Sequence, residues 1–190
     1  VVAFALFGVL AGLSNSFAKA QSTTRTNVVI VFAAAMDMQN LSAMPISYRQ
    51  QIQQVDGVQR VLNWGGFLNL TWQVPANKVP AFAAPPDELL LTYPEISLPP
   101  EQLETWRRTP QSVIVPQQLA SRYGWKVGER LSFQSQTAQK DGSTDWAFDI
   151  AGIYDAPSWI GISGGVISNL AYIDKARAEG EGTVSYTHLT

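Results

Sequence analysis

Two groups of residues in this sequence are of the types that carry out chemistry. The first is the run GISGG at 161–165, which has the letters of the G-x-S-x-G turn that presents a nucleophilic serine in hydrolases. That turn needs a strand before it, a helix after it and a histidine further along the chain. Here the predicted flanks are a loop and a strand, and the one histidine is His188, two residues from the end. We therefore predict a glycine-rich loop, with a secreted hydrolase using Ser163 as the weaker hypothesis.

The second group is a set of carboxylates in the middle of the sequence. An acid–base or metal site needs several such groups to converge in one cleft. Turn positions and solvated strand faces explain each of these residues separately, so we predict no catalytic residue, metal site or cofactor. A G-x-x-x-x-G-K-[ST] phosphate loop is also missing, so we expect that the chain is not an enzyme and does not itself hydrolyse a nucleotide. The carboxylates are those of Glu129, Asp141, Asp145, Asp149 and Asp155.

The six tryptophans are the third unusual feature of the sequence. Such a number is enough to line a ligand groove. Core packing is the commoner use of tryptophan, because each ring buries a large apolar area. Both interpretations stay open from the sequence, and core packing is favoured. The residues are Trp64, Trp72, Trp106, Trp125, Trp146 and Trp159.

Composition narrows the class of protein. Of the 190 residues, 46% are hydrophobic and only 15% are charged, a low charged fraction for a free cytosolic protein. The net charge of −2 gives no electrostatic basis for binding nucleic acid. The absence of cysteine excludes disulfides, thiolate metal sites and cysteine nucleophiles, but leaves the compartment open.

The first 18 residues carry no charge, and the first charged residue is Lys19. As a helix they would extend about 27 Å at about 1.5 Å per residue, close to the roughly 30 Å of a bilayer's hydrocarbon. We predict a truncated transmembrane helix over residues 1–20, with a signal or lipoprotein leader and a buried core helix as the alternatives. Because residue 1 is a valine inside an apolar run, we interpret the sequence as a fragment of a longer chain.

A βαβ unit is predicted next. Asn27–Phe32 is a continuous β-branched run, which is typical of a strand buried on both faces. Ser47 and Gln50 have the spacing of a capping box at the start of a helix. We expect that helix to end at Gly57 and a second strand, parallel to the first, to begin at Val58.

The region that follows is rich in glycine and proline. Gly65-Gly66 is expected to interrupt the chain before an alternating strand over Phe67–Val74. Residues 75–110 hold eight of the eleven prolines, so we predict an extended connector. One short helix is expected within it, at Pro100–Arg107, because proline is favoured at the first position of a helix.

The stretch Ser112–Tyr154 is predicted to fold as a compact strand–helix–hairpin unit. A β-branched strand, SVIV, precedes a helix over Gln117–Tyr123, which Pro116 begins and Gly124 ends. Two strands of alternating pattern follow, the first over Arg130–Gln134, and a polar turn joins them.

The residues that we single out in this region are structural rather than chemical. Glycine supplies turns where other residues would be strained, and alternating apolar side chains form one face of a strand. Beyond the unit we expect a loop, a strand over 166–173 and a short polar helix. We predict backbone turns at Gly57, Gly124, Gly128 and Gly152, and a packed core of Trp125, Phe133, Phe148 and Ile150.

The order of these motifs resembles that of MacB/FtsX-like ABC transporter permeases. VIVPQQLASRYGWKVGERLSF resembles the strand, small helix and G-W-K-V-G-[DE] turn of their periplasmic core domain, and DGSTDWAFDIAGIYD resembles its return strand. PISYRQQIQQVDGVQRV resembles the family's first helix, and YPEISLPPEQLETWRR resembles the connector of one branch. Together these motifs cover most of residues 28 to 183.

The resemblance implies an α+β fold in which an N-terminal transmembrane helix precedes a MacB-like periplasmic domain. By this comparison residues 1–20 are the membrane helix, 21–75 a βαβ porter-like part and 76–183 an inserted, mainly-β subdomain. Residues 184–190 break the pattern of apolar strands and resemble a translated adapter sequence. We therefore expect this tail, with His188, to be non-native.

The resemblance also implies a function. It is that of a permease subunit whose extracytoplasmic domain couples ATP-driven motion of the membrane helices to export or extraction of a substrate. The implied partners are a cytoplasmic ABC ATPase, a second permease in a dimer and, as a further candidate, a periplasmic adaptor. The implied location is the bacterial inner membrane, with the residues after position 20 in the periplasm. The alternative is a membrane-anchored extracytoplasmic binding or scaffold module without a transport ATPase.

Overall fold

Nine strands and five helices make up the part of the chain that the structure, a computed structural model, describes: residues 28–31, 44–45, 47–158, 160, 163–178 and 183–189. This composition confirms the predicted α+β class. In chain order the elements are β1 (Val28–Val31), β2 (Met44–Pro45), α1 (Tyr48–Gln53), β3 (Arg60–Thr71), β4 (Lys78–Ala84), α2 (Pro86–Thr92), α3 (Pro100–Arg108), β5 (Ser112–Pro116), α4 (Gln117–Tyr123), β6 (Arg130–Ser135), β7 (Asp145–Tyr154), β8 (Val166–Asn169), α5 (Leu170–Ala176) and β9 (Thr183–Leu189).

The described strands form one mixed sheet, and β3 is shared by its two parts. Along Arg60–Gly65, one edge of β3 pairs with β9, which lies between β3 and β1. We call β1, β9 and β3 the half-sheet. The other edge of β3 pairs with β4, and β8, β5, β7 and β6 follow in that order.

The second part of the sheet closes into a barrel. Its last strand, β6, returns to β3 and pairs with it at Leu70 and Thr71. The barrel strands are therefore β3, β4, β8, β5, β7 and β6. The β4–β8 and β5–β7 pairs are parallel, while the other pairs around the ring are antiparallel.

Strand β5 separates two hydrophobic cores, because all five of its residues are buried. Val113 and Val115 belong to a core to which all six barrel strands contribute, so this core fills the barrel. Ile114 points the other way, into a second core that lies beneath α2 and α3. The second core includes Leu89 and Trp106 from those helices.

The predicted βαβ unit is right in the direction of its strands and wrong in their adjacency. β1 and β3 run the same way, since each pairs antiparallel with β9, but β9 lies between them. The predicted capping box is absent. Ser47 has helical dihedrals, φ −59° and ψ −25°, and its side chain makes no capping hydrogen bond.

The prediction that the glycine pair at 65–66 interrupts the chain is wrong. β3 is continuous, with a register shift against β4 between Gly65 and Leu68. A bulge of this kind bends a strand without ending it, and here it lies where β3 leaves the half-sheet for the barrel. Glycine is needed at position 65 because a Cβ there would overlap the side chain of Leu170 on α5.

The proline-rich stretch 75–110 is not an extended connector, because it holds β4, α2 and α3. Several prolines begin elements instead of breaking them. Pro86 and Pro100 occupy the first positions of α2 and α3, where a missing N–H costs nothing. The predicted helix at Pro100–Arg107 is observed as Pro100–Arg108.

The chain after β7 departs from the prediction at two points. The expected strand over 166–173 stops at Asn169, whose side-chain oxygen accepts a hydrogen bond from the N–H of Ala171 (3.0 Å) and so caps α5. The expected break in the strand pattern after residue 184 is not observed, because the backbone of Thr183–Leu189 forms β9. The non-native origin of the tail stays a prediction.

Residues 1–20, where a membrane helix is predicted, lie outside the described residues. None of the helices described is both long enough and apolar enough to cross a membrane. The predicted division after residue 75 falls in the turn between β3 and β4, and the sheet continues across it. That division remains a prediction.

Candidate functional site

The predicted strand–helix–hairpin unit, Ser112–Tyr154, supplies three of the six barrel strands, β5, β6 and β7. Its helix is observed with the predicted bounds, Gln117–Tyr123. Ala120 of this helix is buried in the barrel core, and Leu119 and Tyr123 pack against that core. Helix α4 therefore closes one end of the barrel.

Three of the four glycines that were predicted at turns have a left-handed backbone. Their φ angles are 88° at Gly57, 73° at Gly124 and 85° at Gly128. Gly124 directly follows α4 as its C-cap residue. Gly128 donates its N–H to the carbonyl of Ile150 (2.8 Å), which joins the turn after α4 to β7.

Gly152 is not at a turn, and that prediction is wrong. It lies inside β7, where its lack of a side chain lets α3 approach the strand backbone. A Cβ at Gly152 would come within 2.8 Å of Leu98 Cδ1 and 2.9 Å of Gln102 Cβ. The next residue, Ile153, donates its N–H to Gln102 Oε1 (2.8 Å). Helix α3 is thereby fixed against strand β7 in the wall of the barrel.

The four residues predicted as core are buried inside the barrel. Their exposed fractions are 3% for Trp125, 2% for Phe133, 0% for Phe148 and 1% for Ile150. Ring centroids lie 6.0 Å apart between Trp125 and Phe133 and 6.4 Å apart between Phe133 and Phe148. The rings thus form a continuous series of contacts from one end of the barrel into its interior.

That series extends outward to two half-buried rings, which together with Trp125 we call the aromatic end. Trp72 lies 4.7 Å from Tyr123 and 5.3 Å from Trp125, measured between centroids. These contacts join the β3–β4 turn to α4. The guanidinium of Arg122 lies 5.3 Å from the Tyr123 centroid, within cation–π range.

The other tryptophans that the structure describes also serve the core. Trp64, Trp106 and Trp146 are at most 7% exposed. Trp159 lies outside the described residues. For the described rings, core packing is therefore the interpretation that the structure supports, with Trp72 the most exposed of them.

Four of the five central carboxylates are engaged by local hydrogen bonds. Within the described part of the chain, no three acidic or histidine side chains gather as metal ligands would. The bonds are from Lys126 N–H to Glu129 (3.0 Å), from Ser143 N–H to Asp141 (2.9 Å), from the Arg130 guanidinium to Asp149 (3.0 Å) and from Ala156 N–H to Asp155 (3.0 Å).

Ser163 lies in a turn that leads into strand β8, and its N–H donates to the carbonyl of Ile160 (2.8 Å). A nucleophile turn of the G-x-S-x-G kind must lead into a helix instead. The geometry after Ser163 therefore does not support the hydrolase hypothesis.

The barrel closes along a short seam between β3 and β6. Only Leu70 with Ser135 and Thr71 with Gln134 are paired there. Two clefts flank the seam, and Thr71 and Gln134 line both of them. We call the smaller one, of 450 Å³, the seam cleft; its other lining residues are Gln73, Pro75, Ser132, Phe133 and Asp145.

Sequence comparisons give no relatives for this chain. No family model matches it, and no curated protein matches it.

Comparison with solved structures does find a likeness. A domain assigned as part of a permease protein from Porphyromonas gingivalis matches with a TM-score of 0.53 and 16% identity, over 86% of this chain and 75% of that one. The periplasmic region of MacB from Actinobacillus actinomycetemcomitans matches with a TM-score of 0.55 and 11% identity, over 86% of this chain and 74% of that one. The extracellular domain of the noncanonic ABC-type transporter YknZ from Gram-positive bacteria matches with a TM-score of 0.50 and 7% identity, over 86% of this chain and 82% of that one. The chain thus has the fold of the periplasmic and extracellular domains of MacB-like ABC transporter permeases.

Proposed function

We propose that this chain is the extracytoplasmic domain of an ABC transporter permease subunit, with residues 1–20 as its first membrane helix. The observation that carries the proposal is the fold shared over 86% of the chain with the MacB and YknZ domains. By this proposal the protein resides in the bacterial inner membrane, and the domain lies in the periplasm.

In this role the domain transmits motion and performs no covalent chemistry. ATP binding and hydrolysis by a cytoplasmic ATPase would move the membrane helices, and these would move the half-sheet. Strand β3 supports such transmission because it is part of both the half-sheet and the barrel. Because β3 is one continuous strand, displacement of the half-sheet would carry the barrel with it.

The same topology supports a division of the domain at β3. Residues 21–75 would form a porter-like part and 76–183 an inserted, mainly-β part. Strand β9, which lies between β1 and β3, falls almost entirely in the tail that we expect to be non-native, so it is assigned to neither part. We propose a second permease subunit and a cytoplasmic ABC ATPase as partners, with a periplasmic adaptor as a further one.

Purification of the full-length protein from its native membranes tests the proposal. After chemical cross-linking, mass spectrometry should identify an ATPase with a G-x-x-x-x-G-K-[ST] phosphate loop in the complex. The Ser163→Ala variant should behave as wild type throughout. Recovery of the protein in the membrane without any such ATPase would favour the scaffold alternative.

Distance measurements test the transmission of motion. Residues 1–190 contain no cysteine, so Val55→Cys and Val127→Cys place spin labels at defined positions of this domain, and both valines are exposed. In the assembled transporter, the distance between positions 55 and 127 of one subunit should stay constant when ATP is added. The distance between the two Val127→Cys labels of a permease dimer should change. A change within one subunit alone would contradict rigid transmission.

A further inference from the structure

The outer edge of β6 is open over most of its length. β6 pairs with β7 along Arg130–Gln134 but with β3 only at Gln134 and Ser135. Beyond this point β3 turns away into the β3–β4 turn, where Gln73 has a φ of 60°. Among the strands described, none pairs with this edge between Arg130 and Phe133.

The hydrogen-bond pattern shows which main-chain groups of β6 face this open edge. The N–H of Ser135 donates to the carbonyl of Thr144, on the β7 side (3.0 Å). In an antiparallel ladder, alternate residues bond to opposite neighbours. Leu131 and Phe133 therefore bond to β7, while the N–H and C=O of Ser132 point away from it.

The outward groups of Ser132 face the seam cleft, whose volume is 450 Å³. Ser132 is exposed, and no described strand pairs with β6 at this position. The side-chain amides of Gln73 and Gln134 line the same cleft and make no hydrogen bond to any residue that the structure describes. The cleft thus offers main-chain and amide groups that an extended peptide could satisfy.

The negative charge of Asp145 indicates which side chain a peptide bound in the cleft should carry. Asp145 lines it and is exposed, and its carboxylate has no ion-pair partner among the described residues. Arg130, the nearest cation along β6, is bound to Asp149 instead (3.0 Å). A basic side chain on the added strand would therefore meet an unpaired negative charge.

We propose that the edge of β6 at Ser132 binds an extended segment of another polypeptide, which adds as a strand and places a basic side chain near Asp145. Strand addition takes affinity from main-chain hydrogen bonds and specificity from alternate side chains. Sheet edges that are not meant to pair are usually guarded by a charge or proline. Strand β6 has no proline, and its one charged residue, Arg130, is engaged by Asp149. Binding of a peptide strand at this edge goes beyond the proposed function, because it does not depend on an ATPase partner.

Nuclear magnetic resonance on the 190-residue chain in detergent micelles tests the proposal. The probe is a blocked seven-residue peptide of alternating threonine and valine with a central lysine. In the free protein the amide of Ser132 should exchange quickly with D2O, and those of Leu131 and Phe133 slowly. Adding the peptide should slow exchange at Ser132 and shift the signals of Ser132 and Gln134.

Two variants at position 132 separate main-chain pairing from other binding. Ser132→Pro removes only an outward N–H, a position at which an edge strand tolerates proline. It should weaken peptide binding about tenfold, the effect of one main-chain hydrogen bond lost. Ser132→Ala keeps that N–H and should bind as wild type. Asp145→Asn should weaken binding of the lysine peptide, but not of the same peptide with glutamine in place of lysine.

Several results would overturn the proposal. They are slow exchange of the Ser132 amide in the free protein, no peptide effect at about 1 mM peptide, and binding that Ser132→Pro leaves unchanged. If Ser132→Pro fails to fold, hydrogen exchange of the Ser132 amide in the wild-type protein, measured with and without the peptide, still tests the proposal.

Discussion

The side chain of Gln102 accepts a hydrogen bond of 2.8 Å from the backbone N–H of Ile153, and this bond ties helix α3 to strand β7. Strand β7 can make the bond because its N–H groups at this point are not all used by neighbouring strands. The approach is close because Gly152 places no side chain between the strand and the helix. The helix, the glycine and the amide therefore form one structural unit on the barrel wall.

Replacing Gly152 by alanine tests that unit. The added Cβ would lie 2.8 Å from Leu98 Cδ1 and 2.9 Å from Gln102 Cβ, so α3 must shift. We expect Gly152→Ala to lower the free energy of unfolding by about 1–3 kcal/mol, as overpacking does. Urea unfolding followed by tryptophan fluorescence measures it. The control is Gly164→Ala, because a Cβ at Gly164 meets nothing within 4 Å; equal stability of the two variants would contradict the prediction.

Gly124 tests backbone strain without any change in packing. Its φ is 73°, and a Cβ there meets nothing within 4 Å. Gly124→Ala should therefore destabilise by about 1 kcal/mol, from the left-handed conformation alone. Gly124→Asn should cost less, because asparagine adopts this conformation more readily. If the two variants unfold at the same urea concentration, strain at the end of α4 is not what glycine relieves.

Contact between Trp72 and Trp125 can be measured as a coupling energy. Their centroids are 5.3 Å apart, with the rings nearly perpendicular at 88°. In a double-mutant cycle with leucine at both positions, we expect a coupling of about 0.5–1.5 kcal/mol. The control cycle pairs Trp72 with Trp106, which belongs to the other core. That cycle should be additive within about 0.5 kcal/mol, and a similar coupling in both would argue against a specific contact.

Tyr154 predicts how stability changes at alkaline pH. Its hydroxyl donates to the carbonyl of Gly165 (2.6 Å), and burial raises the pKa of this phenol above its ordinary value. The pKa of Tyr154 is higher in the folded than in the unfolded protein. Its contribution to the free energy of unfolding is therefore fully present below about pH 10 and is lost as the pH rises further. Above that pH we expect this group to lower the free energy of unfolding by up to about 1.4 kcal/mol per pH unit.

Comparison of wild type with Tyr154→Phe isolates this contribution. Burial also raises the pKa of Tyr172, but that group is present in both proteins. The variant should be less stable at pH 7 by about 1–3 kcal/mol, because the Gly165 carbonyl loses its donor. The difference should shrink above pH 10. Tyr48→Phe, at an exposed tyrosine, should match wild type at pH 7; a gap between Tyr154→Phe and wild type that stays constant with pH would contradict the argument.

Local signals were enough to predict the unit Ser112–Tyr154. Pro116 and Gly124 bound α4 at its observed ends, because one pre-sets the first turn and the other accepts a left-handed backbone. Alternation then gave the inward face of β7, with Phe148 and Ile150 in the barrel core. Such features depend on residues a few positions apart, which a sequence displays directly.

Features that depend on distant residues could not be predicted in the same way. Nothing near Gly152 indicates that Gln102 will lie against it, so the glycine was assigned to a turn. The position of β9 between β1 and β3, and the seam at Thr71 and Gln134, are likewise properties of the closed sheet. β4 was missed because Pro80 obscured the alternation of Val79, Ala81 and Ala83.

The place of β9 has a consequence for how the chain acquires its structure. During synthesis β1 leaves the ribosome long before β9, yet Val28 pairs with Leu189. The barrel strands, from β3 to β8, lie between them along the chain and can close first. Loop closure over such a separation is slow, and β1 stays unpaired with its β-branched edge open until then. We therefore expect the half-sheet to assemble last and to be the part of a newly made chain that is most exposed to aggregation.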